Sequence, residues 1–474
     1  MNITHGLLNG QVLQRDRNNQ GNARIRGTCR SNGQVELRVL KKGKVLRGHT
    51  WTPSGEAGSR RFDARLENLR AGGPYRIEVR VHDGKNMPEE TAINDVFVGD
   101  VWMLAGQSNM QGLGNMEDAP RPHPMVRAFY MRDEWGQANE PLHFLEEGVD
   151  IVHNGYGDGP NRPPRSKLSA MRRHLLKGVS PGLGFGRAMW KRTGVPQGLV
   201  ACAHGGTSLA MWSPELCEKR GASLYGAMMK RYEKLGQPVA GVLWYQGESD
   251  TDTPQQAENY SANMKNLIEA VRRDTGQAQL PWVIVQLGRF ASRDKKPWNH
   301  IQEQQRQLPN VVTFLDVVPA VDLELDDSIH IGGKAQQLLG VRLARVANHL
   351  VHQSPGVKPS ITLKAVNVVP TPPWNAAHMV SVEVTFNNVA GKLQSPGRPV
   401  GFALIDADGN DTSQIYKTTL HGNKVLLHTG LTPAQLADRT LRYGHGQNPY
   451  CNITDKENMS LPAMTAPLPA TVEP

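Results

Sequence analysis

Five short apolar runs, VWMLAG (101–106), GLVACA (198–203), VAGVLWY (239–245), WVIVQLG (282–288) and VVTFLDV (311–317), constrain the fold of this chain more than any other feature. Apolar runs without polar alternation suit strands covered on both faces, as in a parallel sheet between two layers of helices. Helical stretches separate the runs. In one of them Thr253 can cap the start, Pro254 suits the first position, Met264, Leu267, Ile268 and Val271 share a face, and Gly276 ends the pattern. Another begins near Gly333 and carries Leu339, Leu343, Val346 and Leu350 in register. The fold class expected from this pattern is α/β, with a three-layer α/β/α domain over residues 96–352.

The flanks read differently. Residues 1–95 alternate at Val35-Leu37-Val39, Phe62-Ala64-Leu66 and Tyr75-Ile77-Val79-Val81, with turn residues at Ser31-Asn32-Gly33 and at 71–74. An N-terminal β-sandwich-like module is expected there. After a Pro-containing stretch at 354–359, alternation returns in Val380-Val382-Val384-Phe386, and Asp408-Gly409 marks a turn, so residues 353–474 read as a C-terminal all-β module. A chain of 474 residues is long enough to need more than one core.

Charge and cysteine usage narrow the function classes. Lys and Arg outnumber Asp and Glu by 54 to 44, a net charge of +10, but the basic residues are scattered. The densest run, Lys41-Lys42-Gly43-Lys44, sits at an expected hairpin turn, so nucleic acid is not an expected partner. Cys29, Cys202, Cys217 and Cys451 form no CxxC and no paired metal-ligand spacing, which points to no metal site, and a Cys202–Cys217 pair is allowed but not required. The N-terminal MNITHGLLNGQVLQRD has no apolar leader stretch, and no run is long enough to suggest a membrane span. Oligomeric state is not specified by any pattern.

In open α/β sheets, ligands bind beyond the carboxyl ends of the strands, so the polar residues that follow each apolar run are the candidates for chemistry. Ser108 in Gly106-Gln107-Ser108-Asn109-Met110 follows a fully apolar strand, where a helix start could face a developing oxyanion. The competing reading is a serine that only caps that helix. His330 lies three positions after Asp327, so the carboxylate can orient the imidazole and the imidazole can take the proton of a serine hydroxyl. Its rival is a surface histidine beside an unrelated acid. Gly205 and Gly206 permit close backbone approach, and their amides, the Ser108 amide and the Gln246 side chain could donate to an oxyanion. A tight turn and a strand-end glutamine satisfying backbone groups are the corresponding structural readings.

The segments GDVWMLAGQSNMQG, GLVACAHGGTSLAMW, GVLWYQGESD and DDSIHIGGKAQ together resemble the sialate O-acetylesterase family of SGNH hydrolases, which is related to acetyl xylan esterases. The C-terminal RYGHGQNPYCNITDKENMSLPA and the leading β module also resemble the flanking parts of that family. The resemblance implies a carbohydrate O-acetylesterase acting on acetyl esters of sugars without a cofactor, exported from the cytoplasm. It makes Ser108 the nucleophile and His330 the general base, with Ser108, Gly205 or Gly206, and Gln246 as the oxyanion hole. Asp327 is favoured as the acid, with Glu248 of the QGES block as the alternative. Gln107, Asn109, Trp212, Trp244 and Tyr245 are expected to contact substrate, and the aromatic residues could equally be packing groups. The chain departs from the family pattern at Ser328, where many relatives carry the acid, and at His445, where they often carry an aromatic residue. A non-catalytic carbohydrate-binding protein with a degenerate esterase core is the rival class. A lipase or thioesterase is disfavoured because the Gly/Pro/Arg-rich region before residue 200 shows no apolar lid.

Overall fold

The structure is a computed structural model that describes residues 1–82, 84, 87–292, 296–371 and 379–469. The apolar runs supply five strands of a six-stranded parallel sheet; of the last run only 315–317 lies in its strand, and Val126–Phe129 is a sixth strand that no run marked. The strands of the sheet are β1 (Glu89–Gly106), β2 (Val126–Phe129), β3 (Gln197–Ala201), β4 (Gly241–Tyr245), β5 (Trp282–Gln286) and β6 (Leu315–Pro319), in the spatial order β2-β3-β1-β4-β5-β6. All five contacts along that order are parallel, and Trp135–Gln137 adds an antiparallel edge beside β2. Chain order reverses direction around β1, which places β1 between the ends of β3 and β4, where an α/β sheet opens a crevice. Val101 to Ala105 are fully buried, as are Val242, Leu243, Trp244, Trp282, Val283, Ile284 and Val285, which is why the strands read as unbroken apolar runs.

The covering helices follow their signals. The helix expected after Thr253 is split. The Thr253 hydroxyl accepts from the Gln256 N–H at the start of a short helix, Pro254–Glu258, and Asn259 then leads into Tyr260–Asp274. Met264, Leu267, Ile268 and Val271 are all buried on the sheet side of that second helix. Gly333–Ala347 buries Leu339, Leu343 and Val346, and Leu350 lies past its end in a wider turn, partly buried against the same core.

The first β segment is not set apart by a linker. The 18 residues of β1 serve two sheets: residues 89–98 pair antiparallel with Gly72–His82, and residues 100–106 pair parallel with β3 and β4. The antiparallel run then proceeds through Gly33–Lys41, Thr52–Gly58, Arg61–Arg70, Gln20–Thr28 and Asn2–His5, wrapped around its own core of Ile25, Val35, Val39, Phe62, Leu66, Ile77 and Val79. Lys42 and Gly43 turn the expected hairpin, with Lys41 opposite Lys44. The C-terminal part forms two antiparallel sheets, one of Thr362–Pro370, Val380–Asn387, Lys424–Thr429 and Ile415–His421, the other of Phe402–Ile405, Thr440–Tyr443 and Met464–Pro467. Cys202 and Cys217 are free thiols, as are Cys29 and Cys451.

One buried ion pair rivets the C-terminal sheets to the parallel-sheet segment. Arg345, on the helix Gly333–Ala347, meets Asp455 at 2.6 Å with both side chains essentially inaccessible. Arg345 also donates to the carbonyls of Lys358, Pro359 and Asn388, while Asp455 accepts from the N–H groups of Ala390, Glu457 and Met459. Asp455→Ala would remove the buried counter-charge of Arg345 and leave it only the half-exposed Glu457 carboxylate at 3.8 Å. The substitution is expected to destabilise the fold by about 3–5 kcal/mol, read as a lower urea midpoint.

Candidate active site

Ser108 stands where β1 stops. Gly106 has φ +127°, and a Cβ there would lie 2.2 Å from the Tyr245 carbonyl oxygen, so glycine lets β1 and β4 close together just before the serine. A single helical turn, Ser108–Gln111, follows, and its capping position is held by Gln107, so Ser108 is not the cap that its position alone would suggest. The Ser108 hydroxyl instead lies 3.0 Å from Nε2 of His330, 222 residues away in the chain.

The histidine is carried on a tightly braced loop between β6 and the helix Gly333–Ala347. Asp327 accepts at Oδ1 from the Ile329 and His330 N–H groups (3.0 and 2.8 Å), and its Oδ2 lies 2.8 Å from Nδ1 of His330. Asp326 closes the same loop: its N–H donates to the His330 carbonyl, and its Oδ2 accepts from the Asn115 and Gly333 N–H groups. Lys177, 150 residues before Asp327, brings its ammonium onto Asp327 Oδ2. Burial opposes the charged form of Asp327. The hydrogen bonds from Lys177, the Ile329 N–H and His330 outweigh that effect and hold the carboxyl well below the usual carboxylate range.

Glu248 does not touch His330. Its Oε1 accepts from Asn109 Nδ2 at 2.7 Å, and Asn109 in turn accepts from the Ile331 N–H at 2.9 Å and donates to the Ile329 carbonyl at 3.3 Å. The acid of the QGES block therefore grips the histidine loop through an asparagine, on both sides of His330. Burial, only partly offset by the Asn109 hydrogen bond, pushes its carboxyl up to about 7. Asp250, buried beside Gln246, is pushed up to about 6, again by burial with partial relief from its hydrogen bonds.

Several residues expected at the site stand behind it. Gln107 and Asn109 are buried. Gln107 Oε1 accepts from the Gly247 and Ser249 N–H groups and from Gln246 Nε2, fastening the turn after β4 to the end of β1. Gln246 has no exposed surface, and its Nε2 donates to the Thr207 carbonyl at 3.0 Å and to Asp250 Oδ2 at 2.5 Å. Its amide is thus engaged inside the protein and is not free for a substrate oxygen. Trp212, Trp244 and Tyr245 are core residues: Trp212 and Trp244 pack edge to face at 5.2 Å, and the Tyr245 hydroxyl accepts from the Gly288 N–H. None of the three offers a ring face to a sugar. They became candidates because they flank the motifs, but the apolar run continues through Trp244 and Tyr245, and Trp212 ends a short helix, Leu209–Trp212.

The glycine turn after β3 does adjoin Ser108, since a Cβ on Gly205 would lie 3.3 Å from the Ser108 Cβ. The Gly205 N–H donates to Gln111 Oε1 at 2.7 Å. Gly206, exposed and with φ +70°, donates its N–H to no described residue, and neither does Ser108. Gln111, Lys177 and Asp326 are the site neighbours that sequence reasoning missed. Asp326 was visible as the first acid of DDSIH, whereas Lys177 lies in a part of the chain with no motif.

A family model described as "Carbohydrate esterase, sialic acid-specific acetylesterase" matches residues 98–349, which contain every residue of this arrangement. The chain belongs to that family of carbohydrate esterases. This carbohydrate esterase, a carboxylic ester hydrolase by family, is 32% identical over 271 residues to a probable carbohydrate esterase of Arabidopsis thaliana, covering 52% of this chain and 88% of the relative. It is 24% identical over 294 residues to the sialate O-acetylesterase of Mus musculus, covering 49% of this chain and 51% of that protein, so it matches about half the length of the mouse enzyme. A crystal structure of a carbohydrate acetylesterase from Xanthomonas citri superposes with a TM-score of 0.67 at 22% identity, covering 98% of this chain and 99% of that one. At that identity the superposition speaks for the fold, and its coverage extends to the β segments on both sides of the parallel sheet. No helix among the described residues is long and apolar enough to cross a membrane.

Proposed function

We propose that this carbohydrate esterase is a serine-dependent O-acetylesterase that removes acetyl groups from sugars, with Ser108 as nucleophile, His330 as general base and Asp327 as the acid. The observation that carries this reading is the unbroken chain from the Ser108 hydroxyl to His330 Nε2 at 3.0 Å and from His330 Nδ1 to Asp327 Oδ2 at 2.8 Å. A hydroxyl becomes a competent nucleophile when a base takes its proton as it attacks, and a carboxylate on the far ring nitrogen fixes the tautomer that can do so.

In the first half-reaction Ser108 Oγ attacks the acetyl carbonyl while its proton passes to His330 Nε2. The carbonyl oxygen becomes an oxyanion facing the unengaged N–H groups of Ser108 and Gly206, and Gly205 adds a third donor when the acyl oxygen takes the place of Gln111 Oε1. His330 returns the proton to the sugar oxygen as the C–O bond breaks, which leaves an acetyl-enzyme. Water, deprotonated by the same imidazole, then releases acetate and restores Ser108. Gln246 serves as internal support for the turn after β4, and Glu248 acts through Asn109 on the histidine loop. Export from the cytoplasm is part of this reading only through the family resemblance.

The test is acetate release by the wild-type protein from a chromogenic acetyl ester, acetylated xylan and an O-acetyl sialic acid. Release from at least one sugar ester is expected. A folded protein inert toward all three would overturn the reading and leave a carbohydrate-binding role.

A further inference from the structure

The chemistry above uses one oxygen of Asp327 to hold His330, yet that oxygen is not reserved for the imidazole. Lys177 lies on a short strand, Lys177–Val179, that pairs with Gly114–Asn115 just beyond the Ser108 turn. Its ammonium reaches Asp327 Oδ2, the same atom that accepts from His330 Nδ1. Oδ1 is already filled by the Ile329 and His330 N–H groups, so the lysine and the imidazole divide what is left of the carboxylate.

We propose that Lys177 is a positioning residue of the triad, whose ammonium fixes the Asp327 carboxylate and shares with His330 Nδ1 the oxygen that holds the imidazole. This rests on the reading of His330 as the base. Two effects act in the same direction. A cation beside the pair disfavours the imidazolium, and a carboxylate oxygen shared with a second donor stabilises the imidazolium less than an unshared one.

The other charged groups around the loop do not duplicate this role. Asp326 turns its Oδ2 to the Asn115 and Gly333 N–H groups, Glu248 faces Asn109, and Asp118 lies 3.6 Å from Lys334 at the start of the following helix. Arg289 and Glu324 pair with each other at 3.4 Å on the adjoining segment. Among the described residues, Lys177 is the one cationic side chain other than His330 in hydrogen-bond contact with Asp327. Lys177 and Asp327 are each about one-third exposed, 34% and 33%, so salt should weaken the effect without abolishing it.

The deciding measurement is a ¹⁵N NMR titration of the histidine rings in wild type, Lys177→Met and Lys177→Arg, with His330→Gln used to assign the His330 signal. It follows the imidazole directly, so its outcome does not depend on whether Ser108 is the nucleophile; Ser108→Ala activity tests that reading separately. In Lys177→Met the His330 midpoint is expected to rise by roughly 0.5–1 pH unit, and the acid limb of kcat/KM should move with it while KM for a small acetyl ester stays the same. Lys177→Arg should restore the wild-type midpoint. High salt should raise the wild-type midpoint toward that of Lys177→Met. A Lys177→Met protein with unchanged thermal stability and an unmoved His330 midpoint would overturn the proposal. If Lys177→Met is unstable, Lys177→Gln supplies the same comparison, and an unmoved midpoint there would overturn it equally.

Discussion

Ser108→Ala is expected to lower kcat for acetyl ester hydrolysis by about 10⁶, the order seen when a serine hydrolase loses its nucleophile, while the protein folds as before. The substitution deletes one oxygen. It creates no cavity of consequence and removes no contact other than that with His330 Nε2, so thermal stability should match wild type. The neighbouring polar side chains cannot stand in for it. Asn109 is committed to Glu248 and to the backbone on both sides of His330, and Gln107 is committed to the turn after β4. What remains is His330 acting on water next to the Ser108 and Gly206 N–H groups, which accounts for a residual rate above the uncatalysed reaction. The check is steady-state hydrolysis of a chromogenic acetyl ester, together with trapping of an acetyl-enzyme by mass spectrometry. The acetyl adduct should appear on wild type and be absent from the variant. A variant that retains a tenth of wild-type turnover would remove Ser108 from the role of nucleophile.

Five strands of the parallel sheet, and the serine, glycine and histidine that come after strand ends, were legible in the sequence because those strands are buried on both faces. An unbroken apolar run such as Val101 to Ala105 marks both the strand and the point where polar chemistry resumes. The same signal misled at Trp244 and Tyr245. They end an apolar run because they belong to the core, and nothing local distinguishes a buried indole from one that faces a sugar. In the sequence the first β segment differs from the parallel-sheet segment by a change from alternating to continuous apolar residues. The two segments nevertheless meet inside one strand, because β1 is long enough to pair with antiparallel neighbours at one end and parallel neighbours at the other. Contacts between distant segments left no trace at all. Lys177 reaching Asp327, Gln111 covering the Gly205 N–H and Asn109 linking Glu248 to the histidine loop depend on chain crossings that no short motif encodes.

The acid left open by the sequence is settled most sharply by a pair of isosteric substitutions, Asp327→Asn and Glu248→Gln, and the two are expected to differ by about three orders of magnitude. In Asp327→Asn the amide oxygen is captured at the Oδ1 position, where the Ile329 and His330 N–H groups both donate at 3.0 and 2.8 Å. The amide NH₂ then faces both Lys177, which loses its acceptor, and His330 Nδ1, which must accept rather than donate. That places the ring proton on Nε2, facing Ser108, in the tautomer that cannot take the hydroxyl proton. A loss of about 10⁴ in kcat follows, the size found when a triad carboxylate is replaced by an amide. Glu248→Gln keeps an oxygen where Oε1 accepts from Asn109 Nδ2, and its amide takes the position of Oε2, which has no hydrogen-bond partner. The asparagine grip on the histidine loop survives, so kcat should fall less than about tenfold, because the group acts by position and a conservative replacement preserves that position. Measuring kcat/KM for both variants on one acetyl ester decides the matter. If Glu248→Gln were the crippled variant and Asp327→Asn the active one, the charge that matters would be reaching His330 through Asn109, and Asp327 would be only the brace of the loop.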